Sequence, residues 1–319
     1  MEAVIYIDNG NTAYIPVVEE GIQWSTDRKS TPGKLTFQVA DDEVLQIEEG
    51  NAVRLCVDGT NVFYGFIFKK YYKKNNMISI TAYDQLRYLN NKDTYVYVGK
   101  KASELLVMIA ADFELNTGTI EDTGYVIPQK SESNKKLFDI IQNALDSTLL
   151  NTGKLYCMYD DFGHISLKNV ENMLIPLLID EETAQSYDYS SSIDDEVYNQ
   201  IKLTFDNEKT GKREVYLARD NGNINKWGIL QYYDTIKEGE NGQAKADALL
   251  KLYNKKARKL KISGVLGDVR VHAGCSVMVS MKLPDVEVQS FLLCEKVVHT
   301  FKNEEHTMSI TLRGGDFIA

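Results

Sequence analysis

Four histidines, four cysteines and several paired carboxylates are the side chains of this 319-residue sequence that could hold a metal or do acid–base work. His299, Glu304, Glu305 and His306 stand closest together and raise the question of a metal. A helical zinc site needs two histidines at i and i+4 with a third ligand. Here the two histidines flank a β-turn, with one strand position separating their faces, so they are expected to be ordinary hairpin residues and no metal ligand is assigned. His164 and His272 have no spaced companions.

Glycoside hydrolysis requires two carboxylates facing each other across a cleft, one with its pKa raised by burial. The acidic pairs Asp41-Asp42, Glu48-Glu49, Asp160-Asp161 and Asp194-Asp195 fall in turn-like segments and read as solvated. There is no G-x-S-x-G elbow, P-loop or G-x-G-x-x-G, which removes support for a nucleophile-elbow hydrolase or a nucleotide site. Cys56, Cys157, Cys275 and Cys294 form no C-x-x-C pair and no disulfide framework, and three of them sit in apolar strand-like runs. They are expected to be reduced and buried. Cysteine-peptidase chemistry would need one of them beside a histidine, which spacing alone leaves open. No catalytic, cofactor or metal residue is therefore assigned.

Charge narrows the partners. The net charge of −10 opposes counterion-driven nucleic-acid binding, so no nucleic-acid recognition is expected. Residues 1–95 carry 10 basic and 13 acidic side chains, residues 96–190 carry 7 and 15, and residues 191–319 carry 19 and 18, which concentrates the acidity in the middle. No window approaches the roughly 20 apolar residues of a membrane span, and no secretion signal is read.

The elements that must position these side chains read mainly as strands. Leu35, Phe37 and Val39 alternate with polar neighbours, as do Ile78, Ile80 and Ala82, and residues 61–68 read as a strand covered on both faces with a bend or bulge at Gly65. A Lys/Asn turn at 73–76 follows. From residue 99 the period changes: Ala102, Leu105, Leu106, Ile109 and Phe113 share a helical stripe. A second helix, capped at Ser133 or Asn134, buries Leu137, Ile140, Ile141, Ala144, Leu145 and Leu149 and ends at Gly153. Residues 154–168 form a hairpin, 181–196 a polar linker, and strands then resume around one helix at roughly 242–259 with Ala248, Leu249, Leu252 and Tyr253 inward. The pairs Tyr71-Tyr72 and Tyr232-Tyr233 each place one ring on either strand face, and composition alone does not decide between core, a subunit contact and stacking on sugars.

An internal repeat organises these elements. Gly50-Asn-Ala-Val53-Arg-Leu55 resembles Gly274-Cys-Ser-Val277-Met-Val279; each precedes a long strand starting at Phe63 or Phe291, then a Lys/Asn turn, then Ile78-Ser-Ile-Thr81 or Met308-Ser-Ile-Thr311. The expected fold is mainly β with an α/β insertion, α+β overall: two related small β-barrel domains, at 1–95 and 191–319, separated by a helix-containing domain at 96–190. Three such chains around an axis would present six similar barrels to a sixfold partner.

The ordered set Gly33-Lys-Leu-Thr-Phe37, Phe63-Tyr-Gly-Phe66, Ile80-Thr-Ala-Tyr-Asp-Gln-Leu-Arg-Tyr88, Val197-Tyr-Asn-Gln-Ile-Lys202, Glu295-Lys-Val-Val-His-Thr-Phe301 and His306-Thr-Met308 resembles the hub proteins of contractile phage tails. That family includes the late control protein D type, PBSX-type prophage hubs and the hub part of type VI secretion spike proteins. The resemblance implies a structural, non-catalytic homotrimer, assembled in the bacterial host cytoplasm, that joins the hexameric tail tube to a trimeric spike among other baseplate proteins. The sequence stops at Ala319, directly after its last strand, so the spike and any wall hydrolase are expected on other polypeptides. A tail-associated peptidoglycan hydrolase and a carbohydrate-binding module remain as alternatives.

Overall fold

The computed structural model describes residues 1–42, 44–74, 76–194, 196–207, 211–236 and 241–313. The 73–76 turn, the Asp194-Asp195 pair and the chain end at Ala319 fall partly or wholly outside those residues. The described chain is mostly strand with few helices, and it divides into two compact units: residues 1–187 with 261–312, and residues 188–260 with Arg313. No described helix is long and apolar enough to cross a membrane.

In the first unit, period-two alternation builds an antiparallel run. β1 (Ala3–Asp8), β2 (Ala13–Tyr14), β3 (Val18–Asp27), β4 (Lys34–Ala40), β5 (Ala52–Val57), β6 (Thr60–Lys73) and β7 (Met77–Tyr83) lie in the order β3-β4-β7-β6-β5-β1-β2. Leu35, Phe37, Val39, Ile78, Ile80 and Ala82 are buried on one face with Val53, Leu55 and Phe63, as the alternation requires. Gly65 serves a close approach rather than a bend, since a Cβ there would lie 2.3 Å from the Tyr83 carbonyl oxygen. The ladder irregularities fall beside it, at Val62 against β5 and at Phe68 against β7. β6 outruns β5, so Tyr71 and Tyr72 are both exposed, 60% and 58%, and neither ring joins the core.

The insertion contains β8 (Lys92–Lys101), α1 (Ala102–Asp112), β9 (Thr117–Ile120), β10 (Val126–Lys136), α2 (Leu137–Thr152), β11 (Tyr156–Asp160) and β12 (Ile165–Asn169). The stripes read from sequence form its core: Ala102, Leu105, Leu106 and Ile109 pack with Leu137, Ile140, Ile141, Ala144 and Leu145. Gly153 closes α2 at φ 71°, its N–H bonding the Leu149 carbonyl at 2.8 Å. The start of α2 differs from expectation. Ser133 and Asn134 belong to β10, and Lys136 precedes the helix without a side-chain cap. The two residues fall at the irregularity of the β8–β10 ladder between Glu132 and Lys135, where the Asn134 N–H reaches Thr94 Oγ1 at 3.1 Å.

β13 (Leu174–Asp180) and β14 (Ser186–Ser192) follow, the second inside the stretch read as a linker. The second unit packs β15 (Gln200–Asn207), β16 (Lys212–Arg219), α3 (Asn221–Trp227), β17 (Gln231–Thr235) and α4 (Gly242–Tyr253) around Ile201, Leu203, Ala218, Ala246 and Leu249. α4 stops six residues short of the expected 259 because β18 (Ala257–Leu266) takes over, and Ala248 is exposed rather than inward. β19 (Ser276–Leu283), β20 (Val286–Lys302) and β21 (Glu305–Arg313) complete the described chain.

The repeat has a structural counterpart. The order β18-β21-β20-β19-β13 mirrors β4-β7-β6-β5-β1, although β13 runs parallel to β19 where β1 is antiparallel to β5. Each half also has the same bulge. The Gly50 N–H bonds the Ile67 carbonyl at 2.8 Å and the Ile67 N–H bonds the Asn51 carbonyl at 2.9 Å; Gly274, Cys294 and Cys275 repeat this at 2.8 and 2.8 Å. Both glycines have positive φ, 94° and 96°, the conformation a bulge of this type assigns to glycine. The bulges fix the true register: Leu55 faces Phe63 and Val279 faces Ser290, so Ser290, not Phe291, is the counterpart of Phe63. One residue of slip reverses the face. Phe63 is 3% exposed and Phe291 44%.

The two separate closed barrels are corrected to one open sheet. β20 is 17 residues long; it pairs residues 286–293 with β19 and 296–301 with β3 of the other half. A strand that leaves its own half for six of its 17 residues extends the sheet across the repeat, and among the described residues the strand path stays open.

Gly50→Ala is expected to cost about 1 kcal/mol for its positive φ, because a Cβ there meets nothing within 4 Å. Gly274→Ala should cost about 1–3 kcal/mol more, since its Cβ would lie 2.3 Å from Cys157 Sγ. Urea unfolding should give that ranking, with Cys157→Ala recovering part of the second loss.

Candidate functional site

The polar residues of the family-like motifs converge on three clasps, each built where a loop meets a strand end. At the first, Asp84 ends β7 and caps the 3-10 turn at residues 85–90. Its Oδ1 accepts the Leu86 N–H at 3.0 Å and its Oδ2 the Gly33 N–H at 2.8 Å, while the Asp84 N–H bonds the Gly33 carbonyl at 3.1 Å. Glycine is needed at 33 because a Cβ would stand 2.3 Å from that carboxylate oxygen. Gln85 clamps Asn116 with two bonds, at 3.1 and 3.0 Å, and Arg87 lies over the Phe68 ring at 5.2 Å.

Asp160 belongs to this clasp, contrary to its expected solvation. Its Oδ1 accepts the Gly163 N–H at 2.7 Å, and its Oδ2 is buried without a partner. Burial lifts its carboxyl to about 6 against the pull of Gly163 and Gln85. Burial also raises Asp84 well above the usual carboxylate range, and the charge of Asp160 adds to it. A raised carboxyl pair is what acid–base chemistry would require. Yet both Asp84 oxygens are taken by backbone N–H groups and the residue is buried, so this carboxyl serves the fold rather than a substrate.

The second clasp is the β3–β20 joint. Arg28 makes a two-pronged bond to Glu295, at 3.0 and 2.8 Å, and Lys296 Nζ lies 3.2 Å from Asp27. Trp24 faces His299 in the ladder and stacks on it at 4.5 Å. His299 donates Nε2–H to the Val271 carbonyl at 2.8 Å, which leaves Nδ1 to accept Nε2–H of His306 at 2.8 Å. Burial, with His306 beside it, pushes His299 down to about 3, so it stays neutral. The two histidines therefore meet, contrary to the reading that their faces diverge. Among the described residues, no group of three or more His, Cys, Asp or Glu is placed to hold a metal.

The third clasp lies in the second unit. Asn199 is fully buried, donates Nδ2–H to the Gly228 carbonyl at 2.7 Å and accepts the Leu230 N–H at 2.9 Å. The cysteines are free thiols, Cys157, Cys275 and Cys294 buried and Cys56 half-buried. Cys275 and Cys294 face each other across the second bulge with sulfurs 3.9 Å apart. Sequence reasoning missed Asn199, Arg28 and Asp160 as structural pins. Asn199, Glu295 and His299 stood inside the quoted motifs, but nothing local indicates which strand they bind.

Residues 22–313 match a protein-family model described as YQBQ-like. The phage-like element PBSX protein XkdQ of Bacillus subtilis (strain 168) is 28% identical over 310 residues, 94% of each chain. The 43 kDa tail protein of prophage MuSo2 from Shewanella oneidensis superposes with a TM-score of 0.72 over 99% of this chain and 100% of its own, at 11% identity. An E. coli component of the type VI secretion system, described as structurally similar to the T4 bacteriophage tail proteins gp27 and gp5, gives 0.58 over 99% and 78%, at 10% identity. At such identities the two structures show a common fold.

Asp160 also yields a pH test. Its pKa in the fold, about 6, exceeds its ordinary value of 3.8. The stability it permits is therefore complete below pH 4 and declines as pH rises through 6. Asp160→Asn is expected to leave stability at pH 4 nearly unchanged and raise it at pH 8 by about 1 kcal/mol, a figure discounted for partial solvent access. Urea unfolding at both pH values measures it.

Proposed function

Because the chain belongs to the YQBQ-like family, we propose that it is a structural, non-catalytic hub of a contractile phage tail or related particle. Three copies surround the tail axis and join a hexameric tube to a trimeric spike in the baseplate, after assembly in the host cytoplasm. Two related strand modules, β1–β7 and β13 with β18–β21, act as the repeated units within one open sheet, with β8–β12 and their helices inserted between them.

One observation carries this reading: the two halves share strand order and a bulge at the same ladder position. Two similar modules per chain convert threefold into approximate sixfold symmetry, which three unlike domains could not do. The XkdQ relative and the tail-protein fold support the same reading. The clasps fit it as well, because they use their polar atoms to fix strands and loops.

Mixing the purified chain with the tube and spike proteins encoded alongside it, followed by native mass spectrometry, should give a complex of three hubs, six tube subunits and three spike subunits. A chain that binds neither partner refutes the proposal.

A further inference from the structure

Three of the four cysteines gather at the second bulge, and its twin in the first half shows that the backbone does not require them. There Asn51 and Ile67 hold the positions of Cys275 and Cys294, with the same two backbone hydrogen bonds. The thiols are therefore a property of the second bulge alone.

Cys275 and Cys294 are 1% and 0% exposed. The Cys294 N–H bonds the Cys275 carbonyl at 2.8 Å, which holds the two residues opposite each other, and their sulfurs face across 3.9 Å. A disulfide needs about 2.05 Å, a gap that rotation about the two Cα–Cβ bonds can close while the bulge keeps its hydrogen bonds. Cys275 is the more acidic of the pair: the Cys294 thiol bonds to its sulfur and lowers its pKa, against the effect of burial. The third thiol is placed differently. Cys157 Sγ stands where a side chain on Gly274 would lie and reaches the Ala273 carbonyl at 3.9 Å, and burial pushes it up to about 12.

We propose that Cys275 and Cys294 form a reversible disulfide when the chain meets a peroxide, and that this bond locks β20 to β19 just before β20 passes to β3. The Cys275 thiolate attacks one peroxide oxygen; the O–O bond breaks, leaving a sulfenic acid and, once protonated, a first water. The Cys294 sulfur attacks the Cys275 sulfur; the S–O bond breaks, and the departing hydroxyl takes the Cys294 proton as a second water. The two sulfurs lose two electrons and one peroxide becomes two waters. Burial admits only a small oxidant and makes the first step slow. The second step is fast by comparison, because Cys294 is already in contact while another peroxide must enter. The closed loop restricts the unfolded chain and so favours the folded one.

Treatment of the full chain with hydrogen peroxide, then alkylation and peptide mass spectrometry, tests this. The peptides carrying Cys275 and Cys294 should become joined, with a loss of about 2 Da for the two hydrogens removed, and dithiothreitol should reverse it. The half-buried Cys56, hydrogen-bonded to Asn61 in β5, should react sooner and gain oxygen. Cys294→Ala should abolish the cross-link and Cys157→Ala should keep it. The oxidised chain should need more urea to unfold than the reduced one. Oxygen added to Cys275 or Cys294 in place of the link, a link made through Cys157, or both thiols still free after Cys56 is consumed would overturn the assignment. A link that lowers the urea midpoint would overturn the lock.

Discussion

The fold depends on the six-residue ladder between β3 and the far end of β20. Without it the two halves would share no sheet in this region, because β19 already occupies the near end of β20. The ladder is strengthened by side chains as well as backbone. Arg28 and Glu295 form a two-pronged, largely buried pair, and such a pair punishes any slip, since displacing one member strands the other charge away from water. Trp24 stacked on a neutral His299 acts in the same direction. The imidazole is fully buried, both its nitrogens are spoken for, and only one arrangement of protons satisfies Val271 and His306 together.

Much of this was legible in the sequence, and what was not has a common cause. Period-two alternation located β4 and β7 correctly, and the helical stripe located α1 and α2, because each depends on neighbours within a few residues. The repeat was visible for the same reason: a glycine that must adopt positive φ keeps its place in both halves. Long-range pairing was hidden. Arg28 and Glu295 are 267 positions apart, and nothing near either names the other. Asp160 looked like a turn aspartate and is one, but the Gly163 turn folds against Tyr64, and one carboxylate oxygen of Asp160 is buried.

Register was the subtlest loss. Matching Phe63 to Phe291 by residue type is natural, yet the loops between the shared glycine and each phenylalanine differ in length, and the bulge hydrogen bonds give the count that residue similarity obscures. The helix at 242–253 failed differently: the residues after Tyr253, Asn254-Lys-Lys-Ala-Arg-Lys259, are as compatible with a solvated helix face as with a strand, and the alternation that marks β18 shows only from Leu260 onward.

The clasps also explain why a chain rich in polar motif residues reads as architecture rather than chemistry. A reactive site keeps polar atoms unspent until substrate arrives. In this chain Asp84, Gln85, Asn199, Glu295 and His299 are committed to backbone or to each other. Asp160 Oδ2 is one atom that is not, and it faces inward.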